Sequence, residues 1–237
     1  MINKTVLCLF LLPVIFAGCK SKCVDDLGIH VTRDRQLKPF NEVRVSGPLR
    51  LVMRQDSSFK VSVTADSAAI DLVSAVVKGD RLELSMDKSK YCGKDSVIIN
   101  VGIGALKKIT AKGAGHIYTS SAIHVGELEL DLSGATQLMM EVNAAKLITS
   151  TDGAASLTFI GQTGSHQLKI KGALQMNAFA FVAGGYDINS QGVSKLQINV
   201  LNDLKIKTSG SSDISYKGSP KNISENKNGT YKLTNVN

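Results

Sequence analysis

The stretch LELDLSGATQLMMEV, residues 128–142, alternates strictly on both sides of one glycine. Leu128, Leu130 and Leu132 share one parity, and Glu129, Asp131 and Ser133 share the other. Beyond Gly134 the apolar parity continues through Leu138, Met140 and Val142. A period of 2 marks a strand with one buried and one wet face. Two such runs about a glycine predict two short strands joined at a bend.

The same unit recurs on either side. Gly113, Gly134, Gly153, Gly172, Gly192 and Gly210 stand 21, 19, 19, 20 and 18 residues apart. Four residues after each comes a large apolar side chain: Ile117, Leu138, Leu157, Met176, Leu196 and Ile214. The residue before each glycine is polar, as in Lys112, Ser133 and Asp152, and the residue after it is small or β-branched, as in Ala114, Ala135 and Val193. Self-similarity at a period of roughly 20 residues is the mark of a repeat architecture. The fold expected is all-β, a parallel β-helix or solenoid with coils of about 20 residues, because stacked coils explain why one residue type returns at one offset. The alternative is an antiparallel β-sandwich or barrel, with strands every 8 to 12 residues or so. In the coil, the glycines serve as corners, required either by a positive φ or by a neighbour that leaves no room for Cβ.

Upstream, residues 40–53 show the same alternation with Gly47 in the glycine place. Residues 59–63 and 82–86 read as further strands, and residues 66–77 as a short helix or an irregular loop. Past Gly218 the repeat ends at Ser219-Pro220, and residues 230–234 read as a last strand at the open edge. The domain plan is a lipoprotein signal peptide at 1–18, a lipid-anchored linker at 19–38, and a single domain at 39–237 with regular repeats at about 106–218.

Residues 6–16 (VLCLFLLPVIF) follow Lys4 as an apolar run of 11. A bilayer crossing takes about 20, so the run reads as a signal segment rather than a span. The Phe16-Ala17-Gly18-Cys19 that ends it resembles the lipobox of bacterial lipoproteins. That resemblance implies cleavage before Cys19, a lipidated thiol, and a membrane partner reached through the anchor, in an outer membrane whose periplasmic or surface face is left open. An ordinary secretory signal cut nearby is the alternative. Export means an oxidising compartment, where Cys23 and Cys92, the cysteines left over, are a candidate disulfide.

The formal net charge is +8. The basic residues are scattered without interleaved aromatics, which argues for a solvated surface and against a nucleic-acid partner. His30, His116, His124 and His166 lack ligand spacing and read as surface histidines. Asp152 and Asp213 do not recur in every turn as a calcium-binding β-roll requires. Outward residues such as Lys169, Lys171, Gln175 and Asn177 make no carboxylate pair, and neither a GxSxG elbow nor a phosphate loop occurs. No catalytic, metal or cofactor site is expected. Phe179 and Phe181 fall outside the inward column, to pack under a neighbouring loop or to stack on sugars. Asp66-Ser67-Ala68 and Asp95-Ser96-Val97 resemble a three-residue O-glycosylation acceptor.

Several segments carry a wider resemblance: FNEVRVSGPLRLVMRQ, VKGDRLELS, ITAKGAGHIY, and the recurring LSGAT, TDGAAS, IKGAL and TSGSSDISYKG. Over residues 40–233 the chain resembles the head GIN domain of auto-transporter adhesins, a domain of unknown function found in secreted lipoproteins. The resemblance implies a β-helical fold, display at the cell envelope and an adhesion role, with no catalytic motif to carry over. The function expected is a non-catalytic, lipid-anchored envelope module that binds a glycan or another surface. An envelope accessory that binds a protein is the second reading, and a polysaccharide-active enzyme the third.

Overall fold

The computed structural model describes residues 23–237. The signal segment and the lipidation residue Cys19 lie outside the described residues. Seven strands come from the irregular first part: β1 (His30–Gln36), β2 (Glu42–Ser46), β3 (Leu49–Gln55), β4 (Lys60–Asp66), β5 (Val73–Lys78), β6 (Arg81–Met86) and β7 (Val97–Ile103). Seven more carry the glycine repeats: β8 (Lys108–Lys112), β9 (Gly115–Thr119), β10 (Ile123–Ser190), β11 (Val193–Thr208), β12 (Ser211–Lys217), β13 (Asn222–Lys227) and β14 (Thr230–Asn235). The chain is all-β: among the described residues the only helical pieces are single 3-10 turns at Ile70–Leu72 and Lys88–Lys90. The first of these resolves the stretch 66–77, which makes one such turn and then enters β5.

All fourteen strands hydrogen-bond into one sheet, which curls like half of a barrel around a single apolar core. β10 runs through 68 residues. Fully extended it would reach roughly 220 Å, many times the radius of about 18 Å expected for a chain of this length. It therefore bends repeatedly, with positive φ at Gly134, Gly153, Gly161 and Gly172.

Register follows from the repeat. β8 and β9 pair with β10, β10 with β11, β11 with β12 and β13, and β12 with β14, all in parallel. The partners are equivalent positions of successive repeats: Ile109 with Leu130, Ile117 with Leu138, Ala173 with Val193, Leu196 with Ile214. Antiparallel pairing is confined to β1 with β4, β4 with β7, and β5 with β6. Two stacks result. One holds the strands that run into the glycines, in the order β5, β6, β2, β8, β10, β11, β13; the other holds those that leave them, β1, β4, β7, β3, β9, β10, β11, β12, β14.

The glycine ladder lies between the stacks, and the residue is required there for two separate reasons. A Cβ on Gly134 would stand 2.7 Å from the carbonyl oxygen of Gly113, and one on Gly153 would stand 2.5 Å from that of Gly134. Gly172, Gly192 and Gly210 meet the backbone of the preceding ladder glycine in the same way. Gly113, Gly134, Gly153 and Gly172 also have positive φ, whereas Gly192 and Gly210 do not. At those last two positions crowding alone excludes a side chain.

Within the core, Leu130, Leu138, Met140, Phe159, Leu168, Ile188, Leu196 and Ile214 are all buried. Near the C-terminal end the inward columns turn polar. Ser190, Ser194, Ser212 and Thr208 link their hydroxyls in a chain at 3.2, 2.9 and 2.9 Å. Each hydroxyl thereby offsets the desolvation of its neighbour.

Residues 19–38 were expected as a linker, and part of that stretch departs from the expectation. His30–Gln36 forms β1, paired along its whole length with β4. Its core-side positions are occupied by Val31, Arg33 and Arg35, opposite Ala65, Val63 and Val61. Arg35 donates to the Ala75 carbonyl at 3.4 Å and Arg33 pairs with Asp71, so aliphatic stems cover the sheet edge while the charged heads find partners. Cys23 is bonded to Cys92, with Cα atoms 5.5 Å apart, inside the range that an unforced bridge requires.

Candidate functional site

Alternation decides what each repeat shows to solvent. The residue after each glycine is exposed, the next faces inward, and the third is exposed again. Because the strands pair in register (Thr136 with Gly115, Gln137 with His116, Gln175 with Lys195), like positions form columns about 4.8 Å apart from strand to strand. Ala114, Ala135, Ala154, Ala173 and Val193 make a floor of small side chains, and His116, Gln137, Ser156, Gln175 and Lys195 make a polar wall beside it. Between them runs a shallow groove of about 580 Å³. Five ladder positions give it a length of roughly 19 Å.

The wall offers carboxamide, hydroxyl, imidazole and ammonium groups, and no carboxylate lines the groove. Hydrogen-bond donors and acceptors are thus present at ladder spacing, while the paired acids of glycosidic bond cleavage are missing from this lining. One end is aromatic. Tyr118 stacks parallel to His116 with ring centroids 6.5 Å apart, and the Arg50 guanidinium lies 5.2 Å from the Tyr118 centroid. Met139, half exposed, stands beside this platform on the next strand.

A second cluster joins residues that the sequence reading kept apart. Oxygens of Asp26, Asp66 and Asp95 lie within 4.8 Å of one another, a spacing that could hold a cation. Their lone pairs are already engaged. Asp66 accepts from the Leu27, Ile29 and Ala68 amides at 3.0, 3.2 and 2.8 Å. Asp26 accepts from the Tyr91 hydroxyl and from the Lys94 and Asp95 amides, and His30 approaches Asp95 at 3.2 Å. The Tyr91 hydroxyl holds the Asp26 carboxyl below its usual range, and the Ala68 amide does the same for Asp66. The same contact works on Tyr91 in reverse, where burial first and the hydrogen bond to Asp26 second push the phenol up. With the Cys23–Cys92 bridge a few residues away, the cluster acts as a latch that closes the N-terminal segment onto the sheet. Asp66 is 1% exposed, and of the two O-glycosylation-like triplets Asp95-Ser96-Val97 presents an exposed serine while Ser67 is half-buried.

His30, His116 and His124 are exposed, but His166 is not. It is 0% exposed, its Nε2 lies 3.0 Å from the Thr149 hydroxyl, and its ring packs edge-on against Phe159 and Phe181 and tilted against Tyr186. Burial pushes its pKa down to about 3, so the imidazole is neutral. The expectation of a surface histidine is corrected by parity: His166 precedes Leu168 and Ile170 by two and four residues and faces inward with them. Phe181 is buried in the same cluster, while Phe179 is partly covered and carries Lys217 at 5.0 Å from its ring.

Comparison with known proteins follows the fold. Residues 39–220 match the family described as "Putative auto-transporter adhesin, head GIN domain". The chain is similar to the crystal structure of a "putative adhesin" from Bacteroides fragilis, with a TM-score of 0.82 at 23% identity, covering 90% of this chain and 100% of that one. A "putative adhesin" from Parabacteroides merdae matches with a TM-score of 0.71 at 19% identity, covering 91% and 100%. A "putative lipid binding protein" from Parabacteroides distasonis gives the same values. Likeness at such identities is a likeness of fold. None of the curated proteins compared with the chain matches it.

Proposed function

The chain belongs to the head GIN domain family of auto-transporter adhesins, and from that premise we propose a lipid-anchored, non-catalytic module of the cell envelope whose repeat face holds a surface ligand. The family's description as auto-transporter adhesins supports a place at the cell envelope, and the groove supports a binding role. It is a continuous channel with a methyl floor and a wall of amides and hydroxyls. Such a channel suits a hydroxyl-rich chain, such as a neutral glycan, lying across successive strands. We read the sheet as a parallel β-helix with coils near 20 residues. The parallel register one repeat apart and the ladder of glycines in backbone contact support that reading.

A glycan array probed with the purified chain tests the proposal, beside Ala154→Trp. Ala154 is exposed on the groove floor, so the indole fills the channel without entering the core. Wild type should bind neutral glycans, and the variant should lose them at an unchanged melting temperature. Wild type that binds no glycan, or binding indifferent to groove filling, would sink the reading. Anchoring has its own test: Cys19→Ser should leave the membrane fraction, and identical fractionation of variant and wild type removes the anchor.

A second reading rests on the last strands. β13 and β14 each pair on one side only among the described residues, leaving an edge that a partner chain could extend. A single stoichiometric protein crosslinked in intact cells, with no glycan hit, would favour an envelope accessory.

A further inference from the structure

The outer side of the stack that runs into the glycines divides by charge. In its earlier part bases meet acids: Lys108 with Glu129 at 2.8 Å, Lys146 with Glu127 at 3.4 Å, Lys78 with Glu83 at 2.7 Å. Further along come Lys169 and Lys171, then Lys205 and Lys207, all exposed and none ion-paired among the described residues. The strand between them contributes Asp187, Asn189 and Gln191. Asp187 pairs in register with Lys205 and Asn189 with Lys207. Gln191 donates its amide to the Ile170 carbonyl at 2.9 Å, which sets the Lys169–Lys171 segment alongside. The result is a flat field of four ammonium groups with two carboxamides and Asp187 among them, bordered by Asp203 on the Lys205 strand and by Asp152 beside Lys171. Lysines two residues apart on a strand are roughly 7 Å apart, and those two strands apart roughly 10 Å.

We propose that this field binds an acidic polysaccharide carrying sulfate or uronate groups. Regularly spaced cations on a flat face match a chain with regularly spaced anions, and Asn189 and Gln191 offer hydrogen bonds to the hydroxyls between them. Two other polyanions suit the field less well. A membrane surface is held by apolar side chains inserted beside the charges, yet no exposed large hydrophobic residue lies among these columns. Single-stranded nucleic acid needs aromatic platforms, and no aromatic residue stands in these columns. The field is separate from the groove, which belongs to the other stack, and does not depend on it.

Binding of the purified chain to dextran sulfate, to neutral dextran and to phosphatidylglycerol vesicles decides the matter. Dextran sulfate should bind with an affinity that falls steeply with salt, and vesicles should bind weakly or not at all. Any binding of neutral dextran belongs to the groove and should be insensitive to salt and lost in Ala154→Trp. Lys169→Gln/Lys171→Gln/Lys205→Gln/Lys207→Gln should weaken dextran sulfate binding by about tenfold to a hundredfold. Four lysines elsewhere (Lys60→Gln/Lys78→Gln/Lys88→Gln/Lys90→Gln) make a matched control that should change it little, and arginine at the four field positions should preserve it. Ala154→Trp should also leave it intact, which separates the field from the groove. Equal loss in the matched control, binding of neutral dextran by Ala154→Trp equal to its binding of dextran sulfate, or preference for vesicles would each overturn the proposal. All variants change exposed side chains, and unchanged melting curves confirm that folding is not the cause.

Discussion

Residues 23–103 and residues 108–235 build one sheet by different means. In the later part every strand pairs in parallel with its counterpart one repeat away. In the earlier part, apart from the local β5–β6 hairpin, the partners are distant and mixed in direction: His30 with Asp66, Leu49 with Val97, Arg50 with His116. Closing long loops costs entropy that no local contact offsets. That part accordingly relies on point fastenings, namely the Cys23–Cys92 bridge and the Asp26 and Asp66 latches. The later part relies on repetition, in which each repeat is stabilised by its neighbours. Its weak points are where neighbours touch with no slack, at the glycine corners.

The largest effect should come from a corner. Gly172→Ala adds a Cβ at φ +92 against the backbone of Gly153. Strain and collision together should cost about 5 kcal/mol in chemical denaturation. Wild-type stability would show that the corners do not set the spacing of neighbouring strands. Next comes Cys92→Ser, which opens a separation of 69 residues and should cost about 4 kcal/mol by loop entropy. Hydrogen exchange sharpens the contrast: the serine variant should accelerate exchange within residues 23–103, and the corner variant within the repeats. Equal acceleration throughout both halves by either variant would dissolve the distinction.

A third prediction sets the buried histidine against the acidic latches. His166 is neutral in the fold with its pKa near 3, while a free imidazole titrates near 6.5. The unfolded chain therefore binds one more proton between those values, and stability falls as pH drops through 6.5, by about 3 kcal/mol between pH 7 and pH 4. His166→Phe should remove that slope. Asp26 and Asp66 are also shifted downward, by the hydroxyl and amides that donate to them, but in a lower pH window. Their contribution is present above about pH 4 and is lost only as pH falls through their depressed values. The smallest effect belongs to Gly47→Ala. Its φ is +97 but no atom lies within 4 Å of the new Cβ, leaving backbone strain of about 1–2 kcal/mol. A loss as large as that at Gly172 would mean that crowding is not what distinguishes the repeats.

Much of the repeat region was legible because its local and long-range patterns coincide. The parity of Leu128, Leu130 and Leu132 already names the buried face, and the spacing of the glycines names the partner strand. His166 shows the limit of reading by residue type: the same parity that placed Leu168 inside places the imidazole there too. β1 was hidden because its core-side positions are Val31, Arg33 and Arg35, and two arginines do not read as a buried face. The latch was hidden because Asp26, Asp66 and Asp95 are far apart in sequence and meet only once the sheet is built. The groove and the lysine field are intermediate. Their columns are written in the repeat, but not that one would be a channel and the other a free field of charge.

The sequence alone determined the all-β class, the alternation, the period and the positions that must be glycine, since these follow from sterics and hydrophobic periodicity along the chain. Tertiary structure decided which strands neighbour one another in the first hundred residues, which polar groups are buried with partners, and which charges are left unpaired. Those outcomes depend on desolvation and on distances between groups remote in the chain, and neither exists until the sheet has closed around its core.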